Sequence, residues 1–166
     1  MAEVEASELV ERIERAFSDV PKGPMSIHEA ERLDHCRVTR ADQQLERSKD
    51  CDSRWQDIPD AAIEECCYAL AFFDVGSWRY HIPAYMRWSV ANLFSSGGRT
   101  TDTIVSLDPT DERSGSRIRS LSQDQRRVAC DFLRFMAAHP DDADAESARD
   151  ALERIQRGIY LVDGPK

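Results

Sequence analysis

The chain has 166 residues, 41% of them hydrophobic and 32% charged, which predicts one soluble domain spanning residues 1–166. Its 31 acidic and 22 basic residues give a net charge of -9, which argues against non-specific binding to nucleic acid or a membrane and leaves room for a basic protein partner. No apolar run is long enough to span a bilayer, and the acidic N-terminus does not resemble a signal peptide, so we expect a cytoplasmic protein.

The first third of the chain is predicted to hold two helices and a polar segment. Apolar residues at three- and four-residue steps predict a helix over residues 7–19, which the sequence PKGP ends. Ser26 and Glu29 form a capping box that opens a second helix. Residues 37–54 are polar and poorly periodic, and we expect a mobile segment there with a short helix near residues 40–47.

Two prolines predict a helical hairpin at the centre of the fold. Proline is favoured in the first turn of a helix, so Pro59 and Pro83 predict helices over residues 60–73 and 83–94. Residues 74–77 would form the short turn between them. Both segments are apolar, and we expect them to pack against each other as an antiparallel αα-hairpin.

The remaining chain is predicted to add a β-ribbon and two helices. The short β-branched run at residues 103–107 predicts a strand, with residues 117–121 as its partner. Ser122 and Gln125 form a capping box for the next helix, and Gly158 is a natural stop for the last one.

Together these elements predict a mainly α fold. It would be a single compact domain of five or six helices around a central αα-hairpin, with a small two-stranded β-ribbon and a C-terminal tail at residues 159–166. A chain of this length can bury such a core without disulfide or metal cross-links. The five cysteines agree with this interpretation, because their odd number and lack of C-x-x-C spacing are typical of buried thiols in a reducing compartment.

Two phrases in the middle of the chain are distinctive. They are W-x-D-I-P, from Trp55 to Pro59, and Y-x-I-P-A-Y, from Tyr80 to Tyr85. With SIHEAERLD before them and LSQDQRRVACDFLRFMA after them, they resemble an uncharacterised family of small acidic bacterial proteins, a domain of unknown function. The resemblance covers most of the chain and implies a bacterial origin, but it supplies no activity.

One group of residues has the composition of a metal site. His28, Glu31 and His35 share one face of a predicted helix, and imidazole with carboxylate suits zinc, iron or manganese. The two histidines are two helical turns apart, roughly 10 Å, which is too far for both to bind one ion directly. We therefore interpret the group as a solvated helix face and predict neither a metal nor another cofactor.

Cys66 or Cys67, with His81 as a base, is the best candidate for a nucleophile. A reactive cysteine needs a nearby cation or a helix N-terminus to lower the thiol pKa. These cysteines instead lie beside Glu64 and Glu65, whose charges raise a thiol pKa. We therefore interpret both as core residues and assign no catalytic residue.

The segment from Trp78 to Trp88 combines aromatic side chains with arginine and histidine. Such a mixture is typical of a protein interface, could line a small-molecule pocket, or could pack as core with its polar atoms at the edge. A homo-oligomer interface is a further alternative. The candidate binding residues are Trp78, Tyr80, His81, Tyr85, Arg87 and Trp88.

These observations favour a non-enzymatic acidic interaction protein of the immunity or adaptor type, which would cover a basic surface of its partner. The alternative is a small enzyme or ligand-binding domain with a pocket near Tyr80, His81, Tyr85 and Arg87. Burial distinguishes the two, because a functional pocket would bring His81 and Arg87 together in a concave site with a perturbed pKa. The sequence leaves the oligomeric state open.

Overall fold

The computed structural model describes residues 2–34, 38–93, 98–138 and 144–158, and every regular element in these ranges is helical. Ten α-helices and one 3₁₀ turn follow one another along this part of the chain. The α-helices are α1 (Ala2–Ala16), α2 (Ile27–Arg32), α3 (Arg40–Arg47), α4 (Asp60–Glu65), α5 (Ala69–Phe72), α6 (Val75–Ala91), α7 (Arg99–Leu107), α8 (Glu112–Ser120), α9 (Gln123–Ala137) and α10 (Asp144–Gln156), and the 3₁₀ turn is Trp55–Asp57.

Helix α6 is the centre of the fold, because it is buried on nearly every side. Twelve of its 17 residues are buried, and it contacts α1, α4, α5, α7, α8 and the 3₁₀ turn. Asp74 caps its first turn, where the carboxylate accepts hydrogen bonds from the amides of Gly76 at 2.8 Å and Ser77 at 3.1 Å. The surrounding helices cover the apolar surface that α6 presents in all directions.

The predicted αα-hairpin has the wrong boundaries. Helix α6 begins at Val75, so the predicted turn at residues 74–77 is the start of this helix, and Pro83 lies inside it. The segment 60–73 holds two short helices instead of one, because Cys66 between them has a non-helical backbone, with φ at -103° and ψ at 71°. The chain that precedes α6 is therefore a series of short segments.

The predicted two-stranded β-ribbon is also wrong. Residues 103–107 belong to α7, and residues 117–120 belong to α8. Asp111 starts α8, and its carboxylate accepts a hydrogen bond from the amide of Ser114 at 2.7 Å. The described chain thus has ten α-helices instead of five or six, and no strand. Four of the five buried residues of α7 recur at helical spacing, at Thr100, Thr103, Ile104 and Leu107.

Several local predictions are confirmed. The short helix expected near residues 40–47 is α3. At the start of α9, the amide of Gln125 donates to the hydroxyl of Ser122 at 3.2 Å, and the Gln125 side chain accepts from the Ser122 amide at 3.1 Å. Gly158 follows α10 with a φ of 67°, the left-handed conformation that ends many helices. The predicted tail at residues 159–166 lies outside the described residues.

The segment before α2 packs tightly against the start of α6 at Gly23. A Cβ atom added at this position would overlap the backbone of Ser77, which cannot rotate away as a side chain could. We expect Gly23→Ala to lower the free energy of unfolding by about 1–3 kcal/mol, the range for overpacking a close contact. Urea unfolding followed by tryptophan fluorescence would measure the change.

Gly76→Ala is the matched control for this substitution. Its added methyl group meets a side-chain oxygen of Asp74 at 3.2 Å rather than backbone atoms. The loss of stability in Gly76→Ala should therefore be clearly smaller. Equal losses of stability in the two variants would show that the close contact between Gly23 and Ser77 is not the cause of the destabilisation in Gly23→Ala.

Candidate functional site

The aromatic residues that the sequence singles out lie in the core. Trp78, Tyr80, His81, Tyr85 and Trp88 are all buried. All of them except His81 belong to one hydrophobic cluster with residues of most other helices. Their polar atoms also point inward: the indole nitrogen of Trp78 donates to the hydroxyl of Ser106, and the Tyr85 hydroxyl donates to the carbonyl oxygen of Cys66 at 2.7 Å. This placement corresponds to the alternative in which the segment packs as core.

Arg87, the sixth candidate, is partly exposed, but its guanidinium binds the protein's own backbone. It lies over the ring of Trp55, with 5.5 Å between the guanidinium carbon and the ring centroid. It donates to the carbonyl oxygens of Gln56 at 3.1 Å and Ile58 at 3.2 Å. Arg87 thus holds the 3₁₀ turn against α6 and has little capacity left for a ligand.

His81 is held as a neutral imidazole inside the protein. Its ring stacks on Phe73 with 4.2 Å between centroids, and Nδ1 lies 2.7 Å from the carbonyl oxygen of Ser77, to which it donates. Burial lowers the pKa of His81 to about 4. A buried imidazole of this kind cannot exchange protons with a substrate in solvent. His81 and Arg87 therefore do not form the open pocket that the enzyme alternative requires.

Tyr80 belongs to a second internal network, with Asp52 and Lys22. The Tyr80 hydroxyl donates to Asp52 Oδ2 at 2.6 Å, and Lys22 Nζ lies 2.9 Å from the same oxygen. Burial alone would raise the pKa of Asp52, but these two hydrogen bonds and the charge of Lys22 outweigh it and hold the pKa below its usual value. The network ties the chain before α4 to α6.

The structure also disfavours a cysteine nucleophile. Cys66 is buried, and burial, together with the charges of Glu31, Asp50 and Glu65, raises the pKa of its thiol far above the usual value. The thiol of Cys67 makes a weak contact with the carbonyl oxygen of Glu64 at 3.7 Å. These surroundings keep Cys66 protonated and unreactive.

A polar cleft of about 510 Å³ lies between α2, α3 and the end of α4. Four carboxylates and two cations line the cleft. Leu45 of α3 also lines it, and 65% of this residue is exposed to solvent. We call this site the acidic cleft. Its lining residues are His28, Glu31, Arg32, Asp42, Leu45, Glu46, Lys49, Glu65 and Cys66.

His28 lies in the acidic cleft in contact with carboxylates on two sides. Its Nδ1 is 2.6 Å from Oδ1 of Asp50, whose side chain is almost fully buried, and its Nε2 is 3.7 Å from Glu65 Oε2. A histidine oriented by a buried carboxylate can act as a general base. The thiol that lines the same cleft, Cys66, has a raised pKa, so the cleft offers charge and shape rather than a nucleophile.

The residues of the metal prediction are only partly described. His28 and Glu31 both line the acidic cleft, and Glu31 accepts a hydrogen bond from the amide of Tyr68 at 2.8 Å. His35 lies outside the described residues. Among the residues that are described, no three histidine, cysteine or acidic side chains are grouped in a way that could hold a metal ion.

The sequence does not indicate the acidic cleft as a site, because four of its nine lining residues come from the segment 37–54, which is predicted to be mobile. One local signal was present. Thr39 and Asp42 form a capping box at the start of α3, with the Asp42 amide donating to the Thr39 hydroxyl at 3.1 Å. Recognising that box would have fixed the start of α3 and brought Leu45 and Glu46 into consideration.

Comparison with known proteins places this chain in a family. Residues 5–155 match the model of a family described as Family of unknown function (DUF6714), and the chain belongs to that family. No curated protein matches the chain, and no solved structure does so. None of the helices in the described ranges combines the length and the apolar character needed to cross a bilayer.

The burial of His81 predicts an acid-sensitive fold. Because its pKa falls from 6.5 to about 4 on folding, the unfolded chain binds a proton in this window that the folded protein does not. Lowering the pH through that window should therefore remove up to about 3 kcal/mol of stability through this residue. The measurement is the free energy of unfolding in urea at several pH values between these limits.

His81→Phe is the comparison, because it keeps an aromatic ring against Phe73 and removes the titrating group. Whatever its absolute stability, the variant should show a shallower loss of stability as the pH falls from neutral. Parallel curves for the parent and the variant would mean that other groups cause the acid sensitivity.

Proposed function

We propose that this protein is a cytoplasmic bacterial interaction module, of the immunity or adaptor type and without enzymatic activity, that binds a basic segment of a partner protein in the acidic cleft. The observation that carries the proposal is the combination of clustered carboxylates with an exposed leucine in one open cleft. A lysine- or arginine-rich segment with an apolar side chain would complement both features.

The charges of the acidic cleft favour a cationic ligand. Glu65 is exposed and lines the cleft together with Asp42 and Glu46. Lys49 is already paired with Glu46, with 2.5 Å between Nζ and Oε2. An excess of carboxylates over cations in a cleft attracts a basic partner over a distance and selects against acidic ones.

Leu45 supplies the apolar part of the same surface. Helix α3 buries none of its residues in the fold, and Leu45 is its one large hydrophobic side chain. An exposed apolar side chain among charged neighbours is the arrangement found where a partner excludes water from part of an interface. Burial of this side chain would add affinity that does not depend on salt.

The alternative of an enzyme or ligand-binding domain near Tyr80, His81, Tyr85 and Arg87 receives less support from the geometry. Three of those residues are buried in the core, and the fourth holds backbone carbonyl oxygens. The proposal therefore keeps the interaction function predicted from the sequence and moves its site from the aromatic segment to the acidic cleft.

The proposal predicts that a partner is lost when the acidic cleft alone is changed. The test variant is Leu45→Ser combined with Glu65→Gln, because both side chains are exposed and neither caps a helix. Affinity capture from bacterial lysate should recover a basic protein with the parent but not with this variant. With the purified partner, binding should weaken at least tenfold, since an apolar contact and a charge contact are both removed.

The matched control is Val105→Ser combined with Glu14→Gln, which removes an exposed apolar residue and an exposed carboxylate elsewhere on the surface. It should bind the partner as the parent does. Binding should also weaken between about 50 and 300 mM salt, because charge pairs at an exposed surface are screened. A partner captured equally by the parent and the cleft variant would exclude the acidic cleft as the binding site.

A further inference from the structure

A second cavity has the opposite charge to the acidic cleft. It measures about 390 Å³ and lies where the end of α1 and the start of α9 meet Arg79 of α6. Arginines outnumber acidic residues two to one in its lining, although the protein as a whole carries a net charge of -9. We call it the arginine pocket. Its charged lining residues are Arg12, Arg15, Arg79, Arg127, Asp19 and Asp124.

Arg79 is held in place by a buried side chain. Its Nε donates to Oε1 of Gln125 at 3.1 Å, and Gln125 is only 4% exposed. Gln125 is itself fixed, because its Nε2 donates to the carbonyl oxygen of Ala16 at 3.2 Å and its Oε1 accepts from the amide of Ser122 at 3.1 Å. Three elements of the fold therefore position one guanidinium at the pocket.

The cations of the arginine pocket are only partly neutralised. Arg12 is paired with Asp131, and Arg127 is paired with Asp124 at 3.2 Å. In contrast, Arg15 and the two terminal nitrogens of Arg79 have no hydrogen-bond or ion-pair partner among the residues that the structure describes. A guanidinium that is anchored through Nε and open at both terminal nitrogens can still donate two parallel hydrogen bonds to an oxyanion.

We propose that the arginine pocket binds the phosphate group of a small phosphorylated ligand. The planar fork of Arg79 matches the oxygen spacing of phosphate, and Arg15 supplies a second positive charge. A phosphate monoester carries nearly two negative charges at neutral pH, which fits two unpaired cations better than a monocarboxylate does. The cavity volume is within the range of ordinary small-molecule sites.

Isothermal titration calorimetry with inorganic phosphate and with pyrophosphate, at constant ionic strength, tests the proposal directly. We expect saturable binding to one site, and Arg79→Gln should weaken it by about tenfold or more, the effect of losing a charge-assisted bidentate pair. Arg15→Gln should weaken it by a smaller factor. Arg15 is exposed and makes no contact that the fold needs, so this variant keeps the test valid if Arg79→Gln is poorly folded.

Two controls separate phosphate recognition from general charge effects. Arg54→Gln removes an exposed arginine that pairs with Asp57 outside the pocket, and it should leave phosphate binding unchanged. Acetate, tested at the same concentrations, should not bind. No saturable binding of either phosphate compound up to about 20 mM, equal binding of acetate, or an equal loss in Arg54→Gln would each overturn the proposal.

The site is independent of the acidic cleft. The variant Leu45→Ser with Glu65→Gln changes no residue of the arginine pocket and should bind phosphate as the parent does. Loss of phosphate binding in that variant would also overturn the assignment of the ligand to this pocket.

Discussion

The fold is built around the burial of one helix on nearly every side. An α-helix that is apolar on a single stripe needs one neighbouring layer, whereas α6 has buried residues around most of its circumference and has to be enclosed. Its enclosure requires several neighbours at different angles, and the short helices α4, α5, α7 and α8 provide them. Short segments can follow the curvature of a central helix, which long straight helices cannot do.

Enclosing α6 creates a second requirement, because its polar side-chain atoms and those of its neighbours need partners inside the protein. Several of these partners are backbone carbonyl oxygens at places where a neighbouring helix ends. Tyr85 donates to the carbonyl of Cys66, where α4 ends, and buried Arg117 donates to the carbonyl of Phe73 at 2.7 Å, where α5 ends. The carbonyl oxygens left free where these short helices end thus accept the hydrogen bonds that buried polar side chains donate.

These constraints explain which parts of the fold could be predicted from the sequence. Helices α1, α9 and α10 each bury one side, so their apolar residues are periodic, and the capping box of α9 and the glycine after α10 are visible in the sequence. Helix α6 has no such period, and Pro83 was interpreted as a start although Asp74 is the residue that caps the helix. In α7 the β-branched run favoured a strand, but burial at helical spacing outweighs intrinsic preference. The acidic cleft depends on three segments meeting in space, and no local pattern indicates that contact.

The internal use of arginine also changes the charge that the protein presents to a partner. Arg117 lies in the core against Trp78, with 5.8 Å between the guanidinium carbon and the ring centroid, and Arg87 is held over Trp55. Both arginines count in the net charge of the sequence, but most of their contacts are with rings and backbone carbonyls of the fold, and Arg87 is also 3.9 Å from Asp60. The carboxylates of the acidic cleft are consequently less offset by surface cations than the sequence total suggests. The aromatic–arginine contacts that resemble an interface in the sequence therefore belong to the packing of the fold itself, and they leave the surface more negative than the sequence total suggests.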